Sequence, residues 1–156
     1  MQVNRRTSRE LVMKALYASE LSHDSLEHII ETVLKPVLKK EKRLFEFAEH
    51  LFLKTIRDSK MIDAIISELA SNWDIKRIAL VDKMILRMAL SEMLHFDDIP
   101  TTVTINEAIE IAKTYSTEKS APFINGILDS ASIKLSADGR ISKTGLNLIN
   151  SQSTDK

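Results

Sequence analysis

Val81-Asp82-Lys83-Met84-Ile85-Leu86-Arg87-Met88-Ala89-Leu90-Ser91-Glu92 spaces its apolar residues as a helix does. Val81, Met84, Ile85, Met88 and Ala89 recur at intervals of three and four, which gathers them along one stripe of a 3.6-residue turn. The same interval runs outward in both directions. On the N-terminal side it recurs in Leu11, Val12, Ala15, Leu16 and Ala18, and in Leu26, Ile29, Ile30, Val33, Leu34 and Val37. It continues in Leu44, Phe45, Ala48, Leu51, Phe52, Thr55 and Ile56, and in Met61, Ile62, Ile65, Ile66 and Leu69. Downstream it marks Ile105, Ala108, Ile109 and Ala112, then Phe123, Ile124, Ile127, Leu128 and Ala131. Amphipathic helices around a shared core are the expectation: an all-α, compact bundle of six or seven helices.

Local signals place the boundaries. Thr7-x-x-Glu10, Asp24-x-x-Glu27 and Thr104-x-x-Glu107 read as capping boxes, with Thr7, Asp24 and Thr104 as the caps. Pro122 suits the first turn of the last core helix, where its missing N–H has no intrahelical partner. Pro36 falls inside the second stripe and should kink or end that helix. Asp97-Asp98-Ile99-Pro100 reads as a connection. Past Leu135 the apolar pattern fades. Residues 1–137 are therefore expected to form the folded unit, and 138–156, rich in Ser, Asn and Thr, a mobile tail.

Composition removes most enzyme classes. The 156-residue chain has no Cys, hence no disulfide framework, thiolate metal site or cysteine nucleophile. Its three glycines, Gly126, Gly139 and Gly145, leave the preceding stretch without a GxGxxG or P-loop phosphate cradle. No apolar run reaches the roughly 18 residues of a membrane span, and the start of the chain lacks the apolar core of a signal peptide. A reducing, cytoplasmic setting is the expectation.

Twenty-two Lys and Arg balance twenty-two Asp and Glu, so the net charge is zero. Nucleic-acid binders usually carry a basic patch. The zero is an average over blocks of opposite sign: residues 1–14 carry +3, 15–34 carry −4, 35–60 carry +4, 61–75 carry −3 and 96–118 carry −4. Arg5, Arg6 and Arg9 sit before or within a first helical turn. A guanidinium fork there is suited to phosphate, and the helix start adds positive potential. The other reading of the cluster is a solvated terminus.

Other chemistry is sparse. Glu20/His23 and Glu92/His95 have the Glu-x-x-His spacing of di-iron helical bundles, a spacing that so many Glu also produce by chance. His28 and His50 look exposed. Tyr17 and Trp73 read as anchors at the edge of the core, and Phe123 as core or as a stacking platform. Asp82 and Arg87 read as salt-bridging residues, and Met84, Met88 and Met93 as core.

Three ordered motifs resemble the NusB family of transcription antitermination proteins. The first is Arg5-Arg6-Thr7-Ser8-Arg9-Glu10 followed by Ala15-Leu16-Tyr17; the second is Val81 to Glu92. The third is Ile99-Pro100 with Ile105-Asn106-Glu107-Ala108-Ile109-Glu110-Ile111-Ala112-Lys113, closing on Phe123-Ile124-Asn125-Gly126-Ile127-Leu128-Asp129. The resemblance spans roughly residues 3–135. It implies two small helical subdomains and binding of the boxA element in ribosomal RNA leader transcripts. It also implies a heterodimer with NusE, a small-subunit ribosomal protein, within an antitermination complex on RNA polymerase.

By position, Arg5, Arg6, Arg9, Tyr17 and Phe123 match RNA-side residues, and Lys119 stands on that side where the family can carry an acid. Asp82 and Arg87 match the helix that meets NusE, with Asp82 also near RNA. Ser91 stands where an aromatic is frequent. No enzymatic role, cofactor, resident metal or membrane association is expected. Arg6→Ala and Arg9→Ala are both expected to weaken RNA binding without unfolding the domain. Two other readings remain at this level: a stand-alone targeting module like those fused to RNA methyltransferases, and a di-iron enzyme.

Overall fold

The computed structural model describes residues 2–70 and 75–143. Trp73, Gly145 and the part of the expected tail from 144 to 156 lie outside the described residues. Seven helices follow in order: α1 (Arg5–Leu21); α2, built of three contiguous segments (Leu26–Ile29, Ile30–Leu34, Lys35–Leu38); α3 (Lys42–Arg57); α4 (Ser59–Leu69); α5 (Leu80–His95); α6 (Thr101–Tyr115); and α7 (Ser120–Ala137). A 3-10 turn, Ile75–Arg77, leads into α5. No strand occurs among the described residues.

The helix starts differ from those expected. At α1 the cap is Asn4: its Oδ1 accepts from the Thr7 N–H at 3.0 Å, and the Thr7 hydroxyl accepts from the Asn4 N–H at 3.2 Å. Thr7 is thus the returning partner of the box and not its cap; Asn caps as well as Thr, and it comes first. Ser25, not Asp24, caps α2 through the His28 N–H. Helix α6 begins at Thr101, directly after the extended Pro100. That leaves Thr104 inside the helix, with its hydroxyl turned to Glu92.

Pro36 does not end its helix. It lies in the first turn of the last segment of α2, after a π turn over Ile30–Leu34. The Lys35 N–H reaches back five residues to the Ile30 carbonyl. A π turn takes in one extra residue, so everything beyond it rotates by about one position relative to an unbroken α-helix. Ile30, Leu34 and Leu38 therefore form the buried line, and Val37, expected on that stripe, is 41% exposed.

Helix α5 is the centre of the molecule. It contacts α1, α3, α4, α6 and α7, and Met84 through Met93 are buried on every side. The stripe read from its sequence is only part of its covered surface. Around it, α1 to α3 pack as one group, and α4 to α7 as another, with α5 also seated against α1 and α3. Its enclosed polar residues reach outward to neighbouring helices; only the Ser91 hydroxyl has no partner.

Helix α7 closes in a Schellman turn: Gly139 takes φ +73°, Arg140 N–H bonds to the Leu135 carbonyl and Gly139 N–H to that of Ser136. The positive φ is why glycine stands there. Beyond it the chain folds back. Ile141 and Lys143 are buried, and the Lys143 ammonium donates to the Phe96 carbonyl. Residues 141–143 are thus packed against the bundle and belong to it.

Candidate nucleic-acid interface

The start of α1 turns Arg6 one way and Arg5 and Arg9 another. Arg5 and Arg6 are exposed, whereas Arg9, one turn past Arg5, is only 4% exposed. Arg5 and Arg9 both lie over the Phe47 ring, at 4.6 and 5.3 Å from its centre. Phe47 is held edge-on against Phe96 at 5.3 Å. The Arg9 Nε donates to Glu92 Oε1 at 2.6 Å, and the Thr104 hydroxyl donates to the other oxygen of Glu92. Arg9 therefore ties α1 to α5 and faces away from solvent. Arg6 crosses to α6 and grips Glu107 with two N–H groups, at 2.6 and 3.2 Å. That hydrogen bond, with the charge of Glu107, raises the Arg6 pKa.

Three adjoining depressions run from Arg6 to the start of α7. The first, about 400 Å³, lies between Arg6, Glu10, Lys14, Val37 and Tyr115. The second, about 190 Å³, is bounded by Met13, Lys14, Tyr17, Val81 and Tyr115. The third, about 250 Å³, is lined by Arg77, Asp82, Thr117, Lys119, Ser120 and Phe123. Lys14 and Tyr115 are common to the first two, and Val81 is followed in the chain by Asp82 of the third. Tyr115 is fixed: its hydroxyl donates to Glu10 at 2.6 Å, and the Lys14 ammonium lies 5.1 Å from its ring centre. The bond to Glu10, then burial, raises the Tyr115 pKa.

Of the residues singled out in the sequence, Arg6, Tyr17, Asp82, Lys119 and Phe123 thus line one track. Arg5 and Arg9 lie on the Phe47 side of α1. Arg87 lies apart from both. It is 8% exposed and grips Asp63 at 2.7 and 2.6 Å while also bonding Glu20 at 3.1 Å. These bonds, led by that to Asp63, raise its pKa against the opposing effect of burial. Asp82 is 6% exposed, and both its oxygens are engaged by Ser116 and Ser120. Ser91 is fully buried, so it fronts no partner surface.

Four residues of this region were not singled out by sequence: Lys14, Phe47, Arg77 and Tyr115. Phe47 falls between two stripe positions, and its role depends on α1 lying across α3. Arg77 and Tyr115 join the track only when α5 and α6 are packed. The Glu-x-x-His pairs do not converge. Glu20 is engaged by Arg87, Glu92 by Arg9 and Thr104, and His95 by Asp58 at 2.5 Å. No group of three His, Cys, Asp or Glu side chains suited to a metal occurs among the described residues.

An all-helical bundle without strands among the described residues carries this basic and aromatic track along one side, and known proteins share the fold. The NusB family model matches residues 6–132. The transcription antitermination protein NusB of Salinibacter ruber is 43% identical over 146 residues, 94% of this chain and 91% of that protein. The corresponding protein of Chloroherpeton thalassium is 38% identical, over 96% of this chain and 71% of that protein. Among solved structures, NusB of T. maritima superposes with a TM-score of 0.75 at 40% identity, over 83% of this chain and 91% of that one. A structure of the antitermination factors NusB and NusE in complex with double-stranded RNA superposes at 0.73 with 25% identity, over 81% of this chain and 93% of that one. The chain belongs to the NusB family. No described helix is long and apolar enough to cross a membrane.

Proposed function

We propose that this protein is a transcription antitermination factor that binds boxA RNA of ribosomal RNA leader transcripts together with NusE, on RNA polymerase. It acts as a non-enzymatic adaptor, without cofactor, in the cytoplasm where transcription takes place. The carrying observation is family membership, together with a similar fold that has been solved bound to NusE and RNA. The track supports it. Single-stranded RNA is held by cations on its phosphates and aromatics under its bases. Arg6, Lys14, Arg77 and Lys119 alternate there with Tyr17, Tyr115 and Phe123. Arg5 extends the basic side beyond Phe47. Arg9 contributes by holding α1 in place through Glu92.

For NusE the reading rests on charge. Arg87 draws together Glu20 from the acidic block 15–34 and Asp63 from the acidic block 61–75. Glu20 remains 42% exposed and Asp63 28%, a negative rim suited to a basic ribosomal protein. Arg87 organises that rim from beneath, and Asp82 stands on the same helix.

The test is a titration of boxA RNA with and without NusE at two salt concentrations. Binding should tighten with NusE, and the logarithm of affinity should fall with log salt by about 0.7 per neutralised phosphate. Arg6→Ala should weaken it while leaving the folded domain intact. Absence of RNA binding in both arms sinks the proposal.

A further inference from the structure

We infer that Asp82 is a positioning residue for Lys119 and Phe123, acting through the hydroxyls of Ser116 and Ser120; this rests on the RNA-binding reading above. Asp82 lies in the first turn of α5, 6% exposed. Its Oδ1 accepts from the Ser116 hydroxyl at 2.6 Å and its Oδ2 from the Ser120 hydroxyl at 2.7 Å. Those two serines bracket the whole connection between α6 and α7. The Thr117 hydroxyl lies 3.1 Å from that of Ser120, inside the same cluster.

The connection has little else to hold it. It contains no proline, and its own backbone bonds run from Ser116 N–H to the Ala112 carbonyl and from Ser120 N–H to the Thr117 carbonyl. Lys119 is the residue before Ser120, and Phe123 follows it by one helical turn. All three line the 250 Å³ depression together with Asp82. A carboxylate at this place also suits the partial positive charge at the start of α7. Asp82 therefore sets where the cation and the ring are presented. At 6% exposure and with both oxygens turned inward, it offers little surface for a direct contact with NusE.

The test uses the full chain with NusE and boxA RNA, comparing Asp82→Ala, Asp82→Asn, Lys119→Ala, Arg6→Ala and the double variants. Asp82→Ala should weaken RNA binding about tenfold, the scale of one or two lost charge-assisted hydrogen bonds. Asp82→Asn, which keeps one acceptor oxygen, should recover part of it. Lys119→Ala should add little on top of Asp82→Ala, whereas Arg6→Ala should multiply in full, because sites joined through one hydrogen-bond network couple and distant independent sites do not. NusE affinity should fall less than RNA affinity. Independent, multiplicative effects of Asp82→Ala and Lys119→Ala overturn the inference, and so does a loss of NusE binding larger than the loss of RNA binding. Amide hydrogen exchange over 116–123 in the unbound protein should accelerate in Asp82→Ala; unchanged exchange overturns the clamp itself. If the unaltered protein binds no RNA, the functional reading falls and takes the RNA part of this inference with it, while the exchange result still decides the clamp.

Discussion

Two arginines three residues apart show how little a residue's type says about its work. Arg6 is half exposed and pairs with Glu107 at the surface, where an ion pair contributes about 1 kcal/mol or less. Arg9 and Glu92 are 5% and 1% exposed, so removing one partner leaves an uncompensated charge in the interior. Arg9→Ala should destabilise the fold by about 3–5 kcal/mol, read by chemical denaturation, whereas Arg6→Ala should stay within about 1 kcal/mol. Equal costs for the two would refute this contrast. The sequence reading, in which both variants weaken RNA binding without unfolding the domain, does not separate the two; the difference arises because position 9 faces α5 and position 6 lies at the surface.

Asp58 gives the residue scale a pH dependence. Its pKa is lowered chiefly by the Arg57 hydrogen bond, with His95 adding to it and burial opposing. A carboxyl whose folded pKa is depressed stabilises the fold above its unfolded value, here 3.8, and loses that contribution as pH falls through the lower folded value. Asp58→Asn should therefore flatten the acid limb of the stability curve below about pH 4. An unchanged limb would count against the pair. Arg57 is 61% exposed, so solvent screening keeps the effect small.

At the scale of elements, α2 is the informative case. A regular 3.6-residue repeat assigns Val37 to the core, yet the π turn ahead of Pro36 passes that place to Leu38. Val37→Lys should be tolerated, while Leu38→Ala, at 0% exposure, should cost about 2–5 kcal/mol in denaturation. A heavy loss at Val37 would show that the turn is regular α-helix after all. Helix α5 departs from the simple pattern for a different reason. It is covered on all sides, so Asp82, Arg87 and Glu92, which look like surface positions in a linear reading, are enclosed. Each is satisfied by a residue from another helix: Ser120, Asp63 and Arg9.

Across the whole molecule, the return of the chain past α7 adds to the core. Ile141 is 5% exposed although it lies in a polar stretch. Ile141→Ala should lower stability by about 2–5 kcal/mol, as for any buried aliphatic side chain, and a cost near zero would make 138–143 dispensable. The zero net charge also takes its meaning at this scale. Folding places the acids of two separate blocks side by side around Arg87, and lines the cations of several blocks along the track between α1 and α7. A neutral chain can thus hold patches of opposite sign, which the proposed function assigns to RNA and to a basic protein.

Helical periodicity, the scarcity of glycine and the ordered motifs determined that the chain is an all-helical bundle of the NusB family. Those signals are local: a repeat of three and four, or a run such as Ile105–Lys113, is complete within one element. Tertiary structure alone decided that Arg9 is interior, that Asp82 holds the α6–α7 connection, and that Tyr17, Tyr115, Lys119 and Phe123 share one track. Each of these depends on which helix lies across which. Burial and hydrogen bonding between residues dozens of positions apart are set by packing, and no spacing within a single helix encodes them.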